Sequence, residues 1–222
     1  MENTGTEKLP RANAYFDVQN LFKSLKEAWG VRYNEYDPVK LAQAIADRRG
    51  WALETVYFYT GTPTGGRRRN LERFWGNKLP ALRKQGVQVF APSLKYDNHS
   101  AECPACRGSE ISCMRCGRLD SIEIPREKTV DVRIALDLVL HAQDQLCDAA
   151  IIFSQDQDLQ EAVREAKNIT LRQERQVTFV SAFPMGVSNS KAITYCSREI
   201  FCRDVYEPCI DPDRYSWPEY DD

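Results

Sequence analysis

No stretch of this chain approaches the roughly 20 consecutive apolar residues that a helix needs to cross a bilayer, so nothing in it reads as a membrane span. Residues Met1 to Pro10 are polar and lack the apolar core of a secretory leader; a cytoplasmic location is the expectation that follows. There is no internal repeat and no low-complexity tract, which excludes solenoid arrays and fibrous segments. An excess of positive charge is also missing. The net charge is −2, whereas a protein that only coats nucleic acid is usually basic. The average conceals a split, because basic residues crowd between Arg67 and Lys84 while acidic ones fall at isolated positions. Phosphate contacts depend on local charge, so an acidic average does not exclude a nucleic-acid substrate.

What remains is an ordinary globular balance, 42% hydrophobic and 28% charged over 222 residues, enough for one sizeable α/β domain with an insertion or for two small domains. Five short apolar runs read as strands: Ala12 to Val18, Thr55 to Tyr59, Val87 to Ala91, Ala149 to Ser154 and Gln176 to Ala182. Between them lie segments of helical periodicity. Leu21, Leu25, Ala28 and Trp29 share one face. Asp37 and Pro38 form a cap and first turn for a second helix that stops near Gly50. A basic helix runs from Arg67 to Gln85, and another from Val130 to Leu146. Leu159 to Ala166 is helical, and the tail from Arg198 is expected to form one more helix. Nearly continuous apolar strands alternating with helices indicate a parallel sheet covered on both faces, an α/β sandwich of three layers.

Two of these strands end in acids. The first closes on Asp17, followed by Asn20; the fourth runs into S-Q-D-Q-D, with Asp156 and Asp158. In an open parallel sheet, ligands bind beyond the carboxyl ends of the strands, where strand order reverses. Neighbouring first and fourth strands would bring Asp17 to Asp156 and Asp158, and Asp131 would join them if the preceding connection leads its helix to that edge. Several carboxylates in one crevice repel one another unless a cation sits among them, and an all-oxygen set suits Mg²⁺ or Mn²⁺. Each acid also has a plainer reading. Asp156 could simply cap a helix, and Asp131 could simply complement a helix dipole.

The residues around these acids resemble a known family. Y-F-D-V-Q-N (Tyr15 to Asn20) is similar to the Y-x-D-x-x-N opening of NYN domains, E-K-T-V-D-V (Glu127 to Val132) to their E-K-x-V-D element, and F-S-Q-D-Q-D (Phe153 to Asp158) to their S-x-D-x-D element. The tail V-Y-E-P-C-I-D-P-D-R-Y resembles that of the LabA-like branch. The resemblance implies a PIN-like sheet of five strands in the order 3-2-1-4-5 and RNA cleavage dependent on Mg²⁺ or Mn²⁺. Asp17, Asp131, Asp156 and Asp158 would bind metal, and Asn20 would be a polar partner for a metal-bound water or a phosphate. Where the family commonly carries glycine, this chain has Val18, Thr129 and Gln155.

Between the third strand and the helix bearing Asp131, Pro92 to Pro125 is polar and without long periodicity. It holds Cys103, Cys106, Cys113 and Cys116 in two C-x-x-C pairs, which can give four thiolates to one structural Zn²⁺; two disulfides or free thiols are the alternative. The insertion is too short and polar for its own hydrophobic core, so metal would supply its folding energy. Domain limits of 12–210 for the nuclease-like unit, 95–123 for the insertion and 211–222 for an irregular acidic tail follow. Arg67, Arg68, Arg69, Arg73, Lys78, Arg83 and Lys84 follow the second strand. Arg67, Arg68 and Arg69, with Lys128 near Asp131, are candidate contacts for an RNA backbone; Arg126 and Arg133 also flank Asp131. Phe74 and Trp75 read as core. The expectation is thus a ribonuclease, with a catalytically weak RNA-binding module, a DNA nuclease or a phosphatase as alternatives, and an oligomeric state left open, a homodimer included.

Overall fold

The computed structural model describes residues 8–65, 68–99, 122–126 and 129–213. Its elements run β1 (Arg11–Asp17), α1 (Val18–Trp29), α2 (Pro38–Arg49), β2 (Ala52–Tyr59), α3 (Arg69–Lys84), β3 (Gln88–Phe90), β4 (Lys95–His99), β5 (Ile122–Arg126), α4 (Val130–Gln143), β6 (Ala149–Phe153), α5 (Gln160–Arg172), β7 (Thr178–Pro184), β8 (Ser197–Phe201) and α6 (Arg203–Tyr206). The caps read from the sequence operate. Asp37 accepts the N–H groups of Val39 and Lys40 at 2.9 and 3.2 Å, and Pro38 occupies the first turn. Gly50 ends the helix with φ 68°, a left-handed conformation that costs glycine no side-chain clash.

Six strands form one sheet in the order β3-β2-β1-β6-β7-β8, and every pair in it is parallel. The five strands expected from the sequence, and the order implied for them, are β3-β2-β1-β6-β7; β8 is an addition. The tail from Arg198, expected to begin a helix, instead lies in this sixth strand, and only the short α6 follows. Alternation explains the difference. Glu199 and Phe201 are buried while Arg198 is exposed and Ile200 only half-buried, a period of two rather than 3.6. Glu199 is buried because Arg48 and Arg49 of α2 reach it at 3.3 and 2.6 Å.

Strand β1 sits at the centre and sorts its side chains onto two cores. Ala12, Ala14 and Phe16 enter the layer built with α1, α2, α3 and the chain after β8. Tyr15 enters the opposite layer, formed by α4 and α5. Phe16 stacks on Phe153 of β6 with ring centroids 4.0 Å apart, fixing the two central strands side by side. Phe74 and Trp75 are both buried, as expected. Lys78, read as part of a basic surface, is buried as well. Its ammonium donates to the carbonyls of Asn34 and Tyr36, each at 2.8 Å, and lies 3.6 Å from Asp211. It ties α3 to the α1–α2 loop and to the chain beyond β8.

The insertion begins and ends in paired backbone. Strands β4 and β5 form an antiparallel ribbon, with Lys95 opposite Arg126 and His99 opposite Ile122. The sequence reading placed no strands there. Cys103, Cys106, Cys113 and Cys116, together with Arg67, Lys128 and the tail from 214 onward, lie outside the described residues.

Candidate active site

The chain leaves β1 through α1 and α2 toward β2 on one side, and leaves β6 through α5 toward β7 on the other. Strand order therefore reverses between β1 and β6, which opens a crevice at their carboxyl ends. Asp17 is the last residue of β1, and Ser154 to Asp158 follow the end of β6. Helix α4 enters β6 from the insertion, so it runs antiparallel to the strands and its first turn, with Asp131, arrives at the same edge. That is the condition Asp131 had to meet. One carboxylate oxygen from each of Asp17, Asp131 and Asp156 lies within 4.8 Å of the others.

Local hydrogen bonds hold two of these acids. Asp17 is buried, and one of its oxygens caps α1 by accepting the N–H of Asn20 at 3.1 Å. The other accepts the hydroxyl of Ser154 at 2.9 Å. Ser154 also accepts the N–H of Asp156 at 3.0 Å, so one buried hydroxyl bridges the acid of β1 to the acid after β6. The sequence reading gave Ser154 no role, although it is the serine of the S-x-D-x-D element. Asp156 accepts the N–H of Asp158 at 3.0 Å and caps the short turn Gln157–Leu159. The capping role weighed for it is therefore present, alongside its place in the close trio.

Electrostatics mark the crevice as short of positive charge. Burial pushes Asp17 up to about 6, against the hydrogen bonds from Asn20 and Ser154, and Asp131 and Asp156 add to the rise. Asp131 is also raised, by partial desolvation first and then by Asp156 and Asp158, while Lys23 of α1 opposes the change. Groups arranged in this way hold protons that a divalent cation could replace.

The other expected residues fall into place unevenly. Asp158 is exposed and stands outside the close trio, although its charge reaches Asp131. Asn20 spends its side-chain oxygen on the N–H of Gln155 at 2.9 Å, pinning α1 to the loop after β6 and leaving its amide nitrogen to donate. Arg68 and Arg69 are exposed at the start of α3, which follows the carboxyl end of β2 and so begins at the same sheet edge. Lys78 makes no surface contact. Arg133 donates to buried Asp137 at 2.9 Å, and Asp137 accepts the hydroxyl of Tyr59 at 2.9 Å. This pair of bonds anchors α4 to β2 below Asp131. Neither Asp137 nor Lys23 was singled out from the sequence. The signal for Asp137 was its register, seven residues after Val130 on the core face of α4.

A family model described as the NYN domain matches residues 11–202. Among solved structures, the chain is similar to a protein of unknown function from Vibrio parahaemolyticus RIMD 2210633. The two are 15% identical, the match covers 93% of this chain and 99% of that one, and the TM-score is 0.50. That likeness is one of fold. No curated protein sequence matches.

Proposed function

The chain belongs to the NYN domain family, within the PIN-like nuclease superfamily, and from that premise we propose that it is a metal-dependent ribonuclease. One observation carries the proposal: Asp17, Asp131 and Asp156, brought from three separate elements, place their oxygens within 4.8 Å of one another at the switch point. The donor set fits the implied ion. The three donors are all carboxylate oxygens, the ligand type that Mg²⁺ and Mn²⁺ take.

Asp17, Asp131 and Asp156 would hold Mg²⁺ or Mn²⁺, with Asp158 as an outer acid. When bound, such an ion lowers the pKa of a coordinated water and offsets charge on the phosphoryl oxygens. The protein's own groups do the rest. Ser154 and the N–H of Asn20 fix the Asp17 carboxylate, so its two oxygens cannot rotate away. The amide nitrogen of Asn20 is the polar partner for a water or a phosphate oxygen. Arg68 and Arg69, with Arg67 and Lys128, hold the substrate backbone. The reaction is in-line attack of water on phosphorus with loss of the 3′-oxygen, leaving a 5′-phosphate and a 3′-hydroxyl.

Two further assignments complete the reading. Cys103, Cys106, Cys113 and Cys116 would hold one structural Zn²⁺ in an insertion (95–123) of the 12–210 unit, and residues 211–222 would be a tail, its first residue Asp211 being held by Lys78. The tail sequence resembles that of the LabA-like branch, and we assign the chain to that branch. No helix among the described residues is long and apolar enough to cross a membrane, and we propose that the protein acts in the cytoplasm.

The test uses purified protein, Mn²⁺ and a single-stranded RNA. Cleavage is expected, and Asp156→Asn should abolish it while melting stays near that of the parent protein. RNA binding without cleavage under any divalent ion would replace the nuclease by a binding module. Zinc analysis should find about one ion per chain, reduced by Cys103→Ser.

A further inference from the structure

The two glutamines of S-Q-D-Q-D turn onto the connection between β7 and β8. Gln157 uses its whole amide: Nε2 donates to the carbonyls of Gln155 at 3.2 Å and Ala192 at 3.0 Å, and Oε1 accepts the N–H and hydroxyl of Thr194 at 3.2 and 2.9 Å. Gln155 donates to the carbonyls of Asn189 at 2.6 Å and Lys191 at 3.2 Å, and accepts the hydroxyl of Ser24 at 3.3 Å. From the other side, Glu27 of α1 accepts the N–H of Ser188 at 2.6 Å. A connection of exposed polar residues, Ser188, Asn189, Ser190 and Lys191, is thus fastened to the segment that carries Asp156 and Asp158 and to α1. It brings the backbone of Lys191, an exposed lysine, onto the side chain of Gln155, and Lys23, whose charge reaches Asp131, lies next to Ser24 on α1.

We propose that this connection is a wall for the backbone of single-stranded RNA, Lys191 and Lys23 receiving phosphates on the β7 side of the crevice while Gln155 and Gln157 hold the wall in place. This rests on the nuclease reading of the same site. Arg68 and Arg69 stand beyond β2, and β2 to β7 spans three strand spacings, roughly 14 Å at about 4.8 Å each. A strand crossing that edge meets cations on both sides of the acids. Gln155, where the resembled family commonly has glycine, is then a residue that shapes the substrate path.

The experiment measures binding of a fluorescein-labelled single-stranded RNA to the full chain by anisotropy over a series of salt concentrations, alongside cleavage in Mn²⁺. Lys191→Ala should weaken binding several-fold, lower the slope of log K against log salt by about 0.7, and raise KM with kcat changed less than about twofold; Lys191→Arg should restore all three. Gln157→Ala should reproduce the KM defect with manganese affinity unaltered. An unchanged affinity and salt slope in Lys191→Ala would overturn the proposal, as would tighter binding of a DNA strand of the same sequence. A parent protein that binds but does not cut, and loses binding in Lys191→Ala, ends the nuclease reading and keeps the wall. A parent protein that cuts, with Lys191→Ala binding as before, does the reverse.

Discussion

Asp17 and Lys78 are both charged side chains taken out of water, 3% and 1% exposed, and their surroundings treat them in opposite ways. Lys78 meets two backbone carbonyls and Asp211, and the rings of Tyr36 and Phe74 lie 5.7 and 5.8 Å from its ammonium. Its neighbours answer part of the charge that burial disfavours. Asp17 has one backbone N–H and one hydroxyl, but its charged neighbours in the crevice are Asp131 and Asp156. A buried charge answered by its partners joins pieces of a fold, whereas one set among like charges is left for something that arrives later. The contrast separates the structural end of the molecule from the chemical one without reference to any relative.

The largest expected effect breaks the answered charge. Lys78→Met leaves Asp211 buried without its cation and two carbonyls without a donor, which should cost about 3–5 kcal/mol. Denaturant unfolding checks this, and Lys78→Met with Asp211→Asn should recover part of the loss. The unanswered charge should behave the other way. Asparagine caps a helix about as well as aspartate, so Asp17→Asn keeps the start of α1 and removes a buried charge, whose cost is desolvation first and repulsion from Asp131 and Asp156 second. In chelator at pH 7 to 8, this variant should be more stable than the parent protein by about 1–3 kcal/mol, while its cleavage in Mn²⁺ is lost. A variant that is both inactive and less stable would show that Asp17 belongs to the fold rather than to the chemistry.

The two groups also predict a pH dependence of the metal-free protein, with opposite signs. Asp17 has a folded value of about 6, above its unfolded value, so the fold pays nothing below about pH 4. It loses stability as pH rises toward 6 and carries the full penalty above that. Lys78 is lowered to about 8, by burial first and against the pull of Asp211. Its penalty is full below pH 8 and is relieved as pH rises from there toward the unfolded value near 10.4. Unfolding measured in chelator should therefore show a falling limb between about pH 4 and 6 that Asp17→Asn removes. The rising limb above pH 8 should survive in that variant.

The same contrast explains what could be read from the sequence. Five strands were readable because their apolar runs are continuous and their helices carry capping residues such as Asp37, whereas their order, and with it the reversal between β1 and β6, was implied by the resemblance to NYN domains. The convergence of Asp17 and Asp156 follows from that order, and Asp131 needs only the rule that a helix feeding a parallel strand runs against it. Charges answered from far along the chain defeated the reading. Glu199 hides the alternation of β8 because its partners are Arg48 and Arg49 of α2. Lys78 looked like one more cation in a basic run because nothing near it in sequence announces Asp211. Pairing between distant residues is where local pattern carries least information.

The smallest expected effect sharpens the comparison at its finest point. The hydroxyl of Ser154 is the only side-chain donor to Asp17 among the described residues, and it also receives the N–H of Asp156. Ser154→Ala removes both of these hydrogen bonds, each a loss of about 0.5–1.5 kcal/mol, and it takes away a group that favours the ionised form of Asp17. The value of Asp17 should then rise above that of the parent protein, and the falling limb of the metal-free stability profile should move to higher pH. Alanine also frees the Asp17 carboxylate to rotate, so manganese affinity should fall while the cap on α1, held by the other oxygen, stays in place. Were the limb to stay where it was, the hydroxyl would be a packing contact, and the Asp17 carboxylate would be held by its cap alone.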